Sequence, residues 1–180
     1  MRYTSYTIHT VKLVIISKSG KETRKIAGEL ALKIMKSPTS PPSMHKAMEG
    51  QKKLRRASVI TLEGELGAGK TTFAKGFAKA LGVKVKVKSP TFVLMKKYNL
   101  ETRGKRQGAR VKYLCHLDCY RARDHRDLAT LDLKSLFKSP ENIILIEWPE
   151  RVSKILPKKL IRVHIDHLNK KERKIQIFMK

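Results

Sequence analysis

Apolar residues fall into short blocks separated by polar and charged stretches, and the spacing within each block predicts its secondary structure. Ile8 to Ser17 has the β-branched character of a strand and is broken by Ser19-Gly20. From Lys21 to Lys36, Ile26, Ala27, Leu30, Ala31 and Ile34 recur at helical spacing. Val59 to Leu62 reads as a buried strand, and Thr72 to Leu81 as a helix closed by Gly82. Lys84 to Lys88 alternates lysine with valine, which predicts a strand with one solvated face. Phe92 to Tyr98 and Val111 to Asp118 read as strands joined by the Gly- and Arg-rich turn at 101–110. Asp124 to Phe137 is predicted helical. Asn142 to Glu147 is apolar enough for the centre of a parallel sheet, and Leu160 to His164 and Lys174 to Phe178 add further strands.

The remaining stretch, 37–57, opens with Ser37-Pro38-Thr39-Ser40-Pro41-Pro42-Ser43 and continues polar and basic. It is expected to be a flexible, non-catalytic insertion in a single-domain α/β protein. No apolar run approaches the roughly 18 residues of a membrane helix. Cys115 and Cys119 are too few for a disulfide framework and poorly spaced for zinc, even with His116, Asp118 and His125 nearby. They read as inert thiols in a reducing cytoplasm.

Charge changes the picture. Against 41 Lys+Arg stand 15 Asp+Glu, a net +26, so polyanions and phosphate-bearing ligands are the natural partners. The excess is uneven: residues 84–112 and 151–180 each hold 10 basic residues, whereas 113–150 hold 5 basic against 7 acidic. An acidic stretch in a basic chain suggests carboxylates with a duty.

That duty follows from Gly64-Glu65-Leu66-Gly67-Ala68-Gly69-Lys70-Thr71, which satisfies the phosphate-loop pattern G-x-x-x-x-G-K-[ST] between a predicted strand and a predicted helix. The glycines let backbone N–H groups close around phosphates, and the helix N-terminus adds its positive end. Lys70 is then expected at the β- and γ-phosphates, Thr71 at Mg²⁺ and Thr72 at the α-phosphate, with Gly67, Ala68 and Gly69 forming the cradle. A second carboxylate is needed at the end of a neighbouring strand. Glu147 ends one such strand, placed to act through a water rather than directly. Asp118 ends another, and parallel strands bring both ends to the loop's edge. Asp118 is the candidate for orienting or deprotonating the attacking water. Ser89-Pro90-Thr91 is positioned like a switch, with Thr91 sensing the γ-phosphate.

Read in order, Gly64 to Thr72, Leu81-Gly82, Lys88 to Phe92, His116-Leu117-Asp118-Cys119-Tyr120-Arg121, Glu147-Trp148-Pro149-Glu150 and Leu156-Pro157 resemble the TsaE (YjeE) family. The resemblance spans about 8–36 and 58–180. It implies a P-loop NTPase fold with a mainly parallel central sheet flanked by helices, and slow, partner-activated ATP hydrolysis. It also implies a role in tRNA threonylcarbamoyladenosine synthesis with TsaD-like and TsaB-like subunits, resetting that complex between turnovers. By the same analogy Thr71 and Glu147 hold Mg²⁺, Gly67 to Thr72 bind phosphate, Trp148 lies near the nucleotide, and the adenine lies around Glu22 and Thr23. The insertion, the basic 101–112 turn and the high charge depart from the family.

Other classes share some of these features. A small-molecule or nucleoside kinase has the same loop, and the 101–112 turn imitates a kinase lid. A GTPase fits less well, because Glu147-Trp148-Pro149-Glu150 is not Asp-x-x-Gly and Asn169-Lys170-Lys171-Glu172 falls late in the chain. A non-catalytic RNA-binding protein would explain the charge but lacks stacking aromatics, at 6% of residues. Contact with tRNA, direct or indirect, would fall on 84–112 and 151–180.

Overall fold

The computed structural model describes residues 11–36, 56–100 and 111–179. The expectations for 8–10, for 37–55 and for the turn at 101–110 lie outside the described residues. Seven strands form one sheet in the order β1-β7-β6-β2-β5-β4-β3. They are β1 (Val11–Ser17), β2 (Ser58–Glu63), β3 (Met95–Asn99), β4 (Tyr113–Asp118), β5 (Asn142–Glu147), β6 (Ile161–His167) and β7 (Arg173–Met179). The neighbours β6, β2, β5 and β4 run parallel, whereas β7, β1 and β3 are paired antiparallel at the flanks. The α/β sheet is mixed, with the expected parallel centre. All six residues of β5 are buried, as its unbroken apolar run requires of a strand covered on both faces.

Alternate side chains supply two cores. Ile60, Leu62, Ile143, Leu145, Val163 and Ile165 meet α1 (Gly20–Lys36) and α2 (Lys70–Ala80) on one face. Val59, Cys115, Leu117, Ile144 and Ile146 meet the short helical segments on the other. Helix α1 begins where the Ser19 side chain accepts from the Glu22 N–H at 3.1 Å, and it buries Ile26, Ala27, Leu30 and Ala31. It lies so close to α2 that a Cβ at Gly76 would strike the backbone of Arg24.

Three expectations differ from the structure. Residues 84–88 form no strand: the strand beside β4 is β3, and the 84–88 segment pairs with no strand among the described residues. Val83 and Val87 turn into the core while Val85 stays 62% exposed, so the valines of the lysine–valine alternation do not share one face as a strand would require. Asp124 to Phe137 is not one helix. A 3₁₀ segment (His125–Leu131) and α3 (Leu133–Lys138) meet at Asp132, whose φ of 37° breaks the helix and whose carboxylate caps α3. Likewise β3 starts only at Met95, after a turn through Phe92 and a left-handed Leu94 at φ 59°.

Candidate functional site

The parallel register brings Leu62, Glu147 and Asp118 side by side at the C-terminal edge of β2, β5 and β4. From that edge the loop of Gly64 to Lys70 leads into α2. Gly64, Gly67 and Gly69 have φ of 132°, 77° and 111°, values that L side chains rarely adopt. At Gly64 a Cβ would also collide with the Ile165 carbonyl on β6. The loop is held from outside as well, by the Arg173 Nε donating to the Ala68 carbonyl at 3.0 Å.

Lys70 is 5% exposed. Its ammonium donates to the carbonyls of Gly64 at 2.6 Å and Glu65 at 2.8 Å, and lies 3.7 Å from the centroid of the Trp148 ring. Burial pushes its titration down from the usual lysine range, while the charges of Glu147, Glu150 and Asp118 oppose that shift. The Thr71 hydroxyl donates to Glu147 Oε2 at 3.1 Å, which leaves the threonine oxygen's lone pairs free to face a ligand. Glu147 Oε1 lies 2.8 Å from His116 Nε2, with both side chains buried. Hard oxygen donors of this kind suit magnesium, which keeps most of its ligands as waters and phosphate oxygens.

Across the cleft, the hydroxyls of Ser89 and Thr91 both donate to Asp118 Oδ2, the Thr91 bond at 2.5 Å, and lie 2.7 Å from each other. The Tyr120 N–H donates to Asp118 Oδ1 at 3.0 Å. The switch segment and the strand-end carboxylate therefore form one hydrogen-bonded unit. Loop, switch, Asp118, Glu147 and Trp148 enclose a cavity of about 460 Å³. A larger one, about 890 Å³, opens on the opposite face around Glu63, Arg162 and Ser153. It contains neither Lys70 nor Thr71 nor Asp118, so the smaller cavity is the candidate site.

The profile of one family, described as Threonylcarbamoyl adenosine biosynthesis protein TsaE, matches residues 18–175. The chain belongs to the TsaE family. It is 40% identical over 117 residues to the tRNA threonylcarbamoyladenosine biosynthesis protein TsaE of Bacillus subtilis, a match covering 65% of this chain and 66% of that protein. To the protein of the same description from Aquifex aeolicus it is 39% identical over 129 residues, 71% of this chain and 81% of the relative. The Haemophilus influenzae relative is matched over 65% of its length, so the chain aligns with somewhat under two thirds of the first two relatives. The crystal structure of Bacillus subtilis YdiB superposes with a TM-score of 0.65 at 30% identity, covering 96% of this chain and 90% of that one.

In this TsaE-family chain, Gly67, Ala68, Gly69, Lys70, Thr71, Thr72, Thr91, Asp118, Glu147 and Trp148 all lie in or beside the one cleft. Trp148 is held at φ 59°, its N–H on the Leu62 carbonyl and its ring 5.0 Å from that of Tyr120. Glu22 and Thr23 tie down the start of α1: Glu22 accepts from the Lys18 N–H and buried Thr23 bonds Ser17. Cys115 and Cys119 are buried in the opposite core. Burial pushes both thiols up, Cys119 to about 12. His116 and Asp118 bond Glu147 and the switch hydroxyls on the α2 side, so these four residues are divided between the faces.

Sequence reasoning missed His116, Tyr120 and Arg173 as members of the site. His116 was detectable, because it stands two residues before Asp118 on the same strand and so shares its face. Arg173 reaches the loop across 105 residues of chain, with no local signal.

Proposed function

We propose that this chain binds ATP with Mg²⁺ in the 460 Å³ cleft and hydrolyses it slowly, in support of tRNA threonylcarbamoyladenosine synthesis. The observation that carries the reading is the meeting, at one sheet edge, of a glycine-turned loop with Lys70, a Thr71–Glu147 pair and a Ser89–Thr91–Asp118 unit. Anion recognition, cation recognition and a water-orienting carboxylate are the parts phosphoryl transfer to water needs.

In this mechanism, Lys70 exchanges the carbonyls of Gly64 and Glu65 for β- and γ-phosphate oxygens. Its partial burial strengthens that attraction. Loop N–H groups from Gly67 to Thr72 surround the phosphates. Thr71, with Glu147 acting through a water, would hold the metal, whose charge offsets that developing on the phosphates. Thr91 reports the γ-phosphate to Asp118 through the hydrogen bond they already share, and Asp118 orients the attacking water. TsaD-like and TsaB-like subunits are the proposed partners, with hydrolysis resetting their complex between turnovers. The compartment is the cytoplasm, where reduction keeps Cys115 and Cys119 free. Lys86 and Lys88, exposed on the segment leading to the switch, are proposed to meet tRNA phosphates.

Phosphate release from ATP, measured with and without those partners, tests the reading. Wild type should release phosphate faster with partners, and Lys70→Ala should release none above background. A wild-type chain inactive even with partners would overturn it. For the RNA contact, tRNA affinity should fall steeply on a log–log plot against salt, and a flat plot would dismiss it.

A further inference from the structure

One buried polar side chain beside the site has no duty in the mechanism above. His116 on β4 is fully buried, its Nε2 stands 2.8 Å from Glu147 Oε1, and its Nδ1 has no hydrogen-bond partner among the described residues. Glu147 already accepts from Thr71, and an ionised carboxylate can only accept, so the hydrogen-bond network assigns the proton of the imidazole to Nε2. The pair is costly as architecture. A well-packed apolar pair at these positions would avoid the desolvation of both groups and the stranded Nδ1. What the imidazole achieves instead is directional. With Oε1 held by His116 from β4, Oε2 is the oxygen nearer the Thr71 hydroxyl at the start of α2, 3.1 Å against 3.5 Å for Oε1. The three side chains form a line from inside the sheet to the mouth of the loop.

We propose that His116 is a positioning residue. It fixes the carboxylate plane of Glu147 and thereby sets the affinity of the Thr71–Glu147 pair for a divalent cation. The inference rests on the Mg-ATP reading. Outer partners of this kind change metal affinity by about 10–100-fold when removed.

The test is a Mg²⁺ titration of the full chain at a fixed concentration of a non-hydrolysable ATP analogue, followed by calorimetry and by Trp148 fluorescence. Affinity for the analogue in EDTA is measured alongside. His116→Leu removes the donor; it should raise the Mg²⁺ midpoint about 10–100-fold and change the EDTA affinity by less than about 3-fold. His116→Gln, whose amide reaches as far as Nε2, should restore most of the midpoint. His116→Asn, too short to reach Glu147, should behave like H116L and serves in its place if H116L does not fold. In a Glu147→Gln background, H116L should shift the midpoint no further.

An unchanged midpoint in both H116L and H116N overturns the proposal. So does H116Q as impaired as H116L, or an equal loss of binding in EDTA. If the wild type binds no nucleotide under any condition, the Mg-ATP reading itself fails. If the wild type binds Mg-ATP and the variants titrate like it, only the role of His116 fails.

Discussion

The α2 side of the sheet and the opposite face both carry polar groups near the same strand ends, and they treat them differently. On the α2 side His116, Glu147, Asp118 and Lys70 are between 0% and 5% exposed. On the other face Glu63, Arg162, His164 and Asp166 keep 20–42% of their side-chain surface and form an ordinary ionic network, with Arg162 clasping both oxygens of Glu63 at 2.9 and 2.8 Å. A partly exposed network costs less to form, and water and salt screen it. Buried polar groups desolvate at several kcal/mol each unless fully bonded. Where a chain sustains that cost in one cluster, at the end of a glycine-turned loop, a use in ligand chemistry is the economical reading. The larger cavity lies over the partly exposed network, so burial of charged groups marks the site better than volume does.

The largest effect should come from changing matched carboxylates on the two faces. Asp118→Asn should lower partner-stimulated hydrolysis by about 10²–10⁴-fold while ATP affinity stays within about 3-fold. Asp166→Asn should leave the rate within about 2-fold. Equal losses, read from phosphate release, would erase the distinction between the faces. The next effect is on folding. Glu147→Ala strands the His116 Nε2–H in the core and should cost about 1–3 kcal/mol by denaturant unfolding. Glu63→Gln, at a partly screened pair, should cost about 1–2 kcal/mol at neutral pH. Raising salt should shrink the second difference and not the first.

The smallest effect is on pH. Glu63 is pushed up by burial, but hydrogen bonds from His164 and Arg162 outweigh this and hold it at about 2. Its contribution is therefore present above the ordinary carboxylate range and fades as pH falls toward that value. His164 is raised by its bond to Glu63, against burial and with help from Asp166. Its contribution is complete below about pH 6.5 and fades as pH rises through the raised folded value. Between about pH 6 and pH 8 the wild-type Tm should fall by at most about 2–4 °C from this source, and His164→Gln should flatten that slope.

The parts of this comparison legible in the sequence were those written in local pattern. The loop spacing, the unbroken apolar run of β5 and the placement of Asp118 and Glu147 at strand ends led directly to one edge. What escaped depends on tertiary packing and on single backbone conformations. Lys84 to Lys88 has a strand's alternation, yet Val83 and Val87 are drawn into the core and Val85 is left exposed. Asp132 turns left-handed and breaks a periodic helix that its neighbours would otherwise continue. The His116–Glu147 bond exists only because β4 and β5 pair in parallel with Asp118 opposite Glu147, a register that no residue spacing within either strand announces.

Trp148 is the chain's single tryptophan, and its ring lies 3.7 Å from the Lys70 ammonium that would have to leave it for the phosphates. Its fluorescence on titration with Mg-ATP therefore tests the central claim most directly. A saturable change in the wild type, absent in Lys70→Ala and unaltered in Asp166→Asn, is the predicted result. No change in the wild type, or the same change with Lys70 removed, would contradict it.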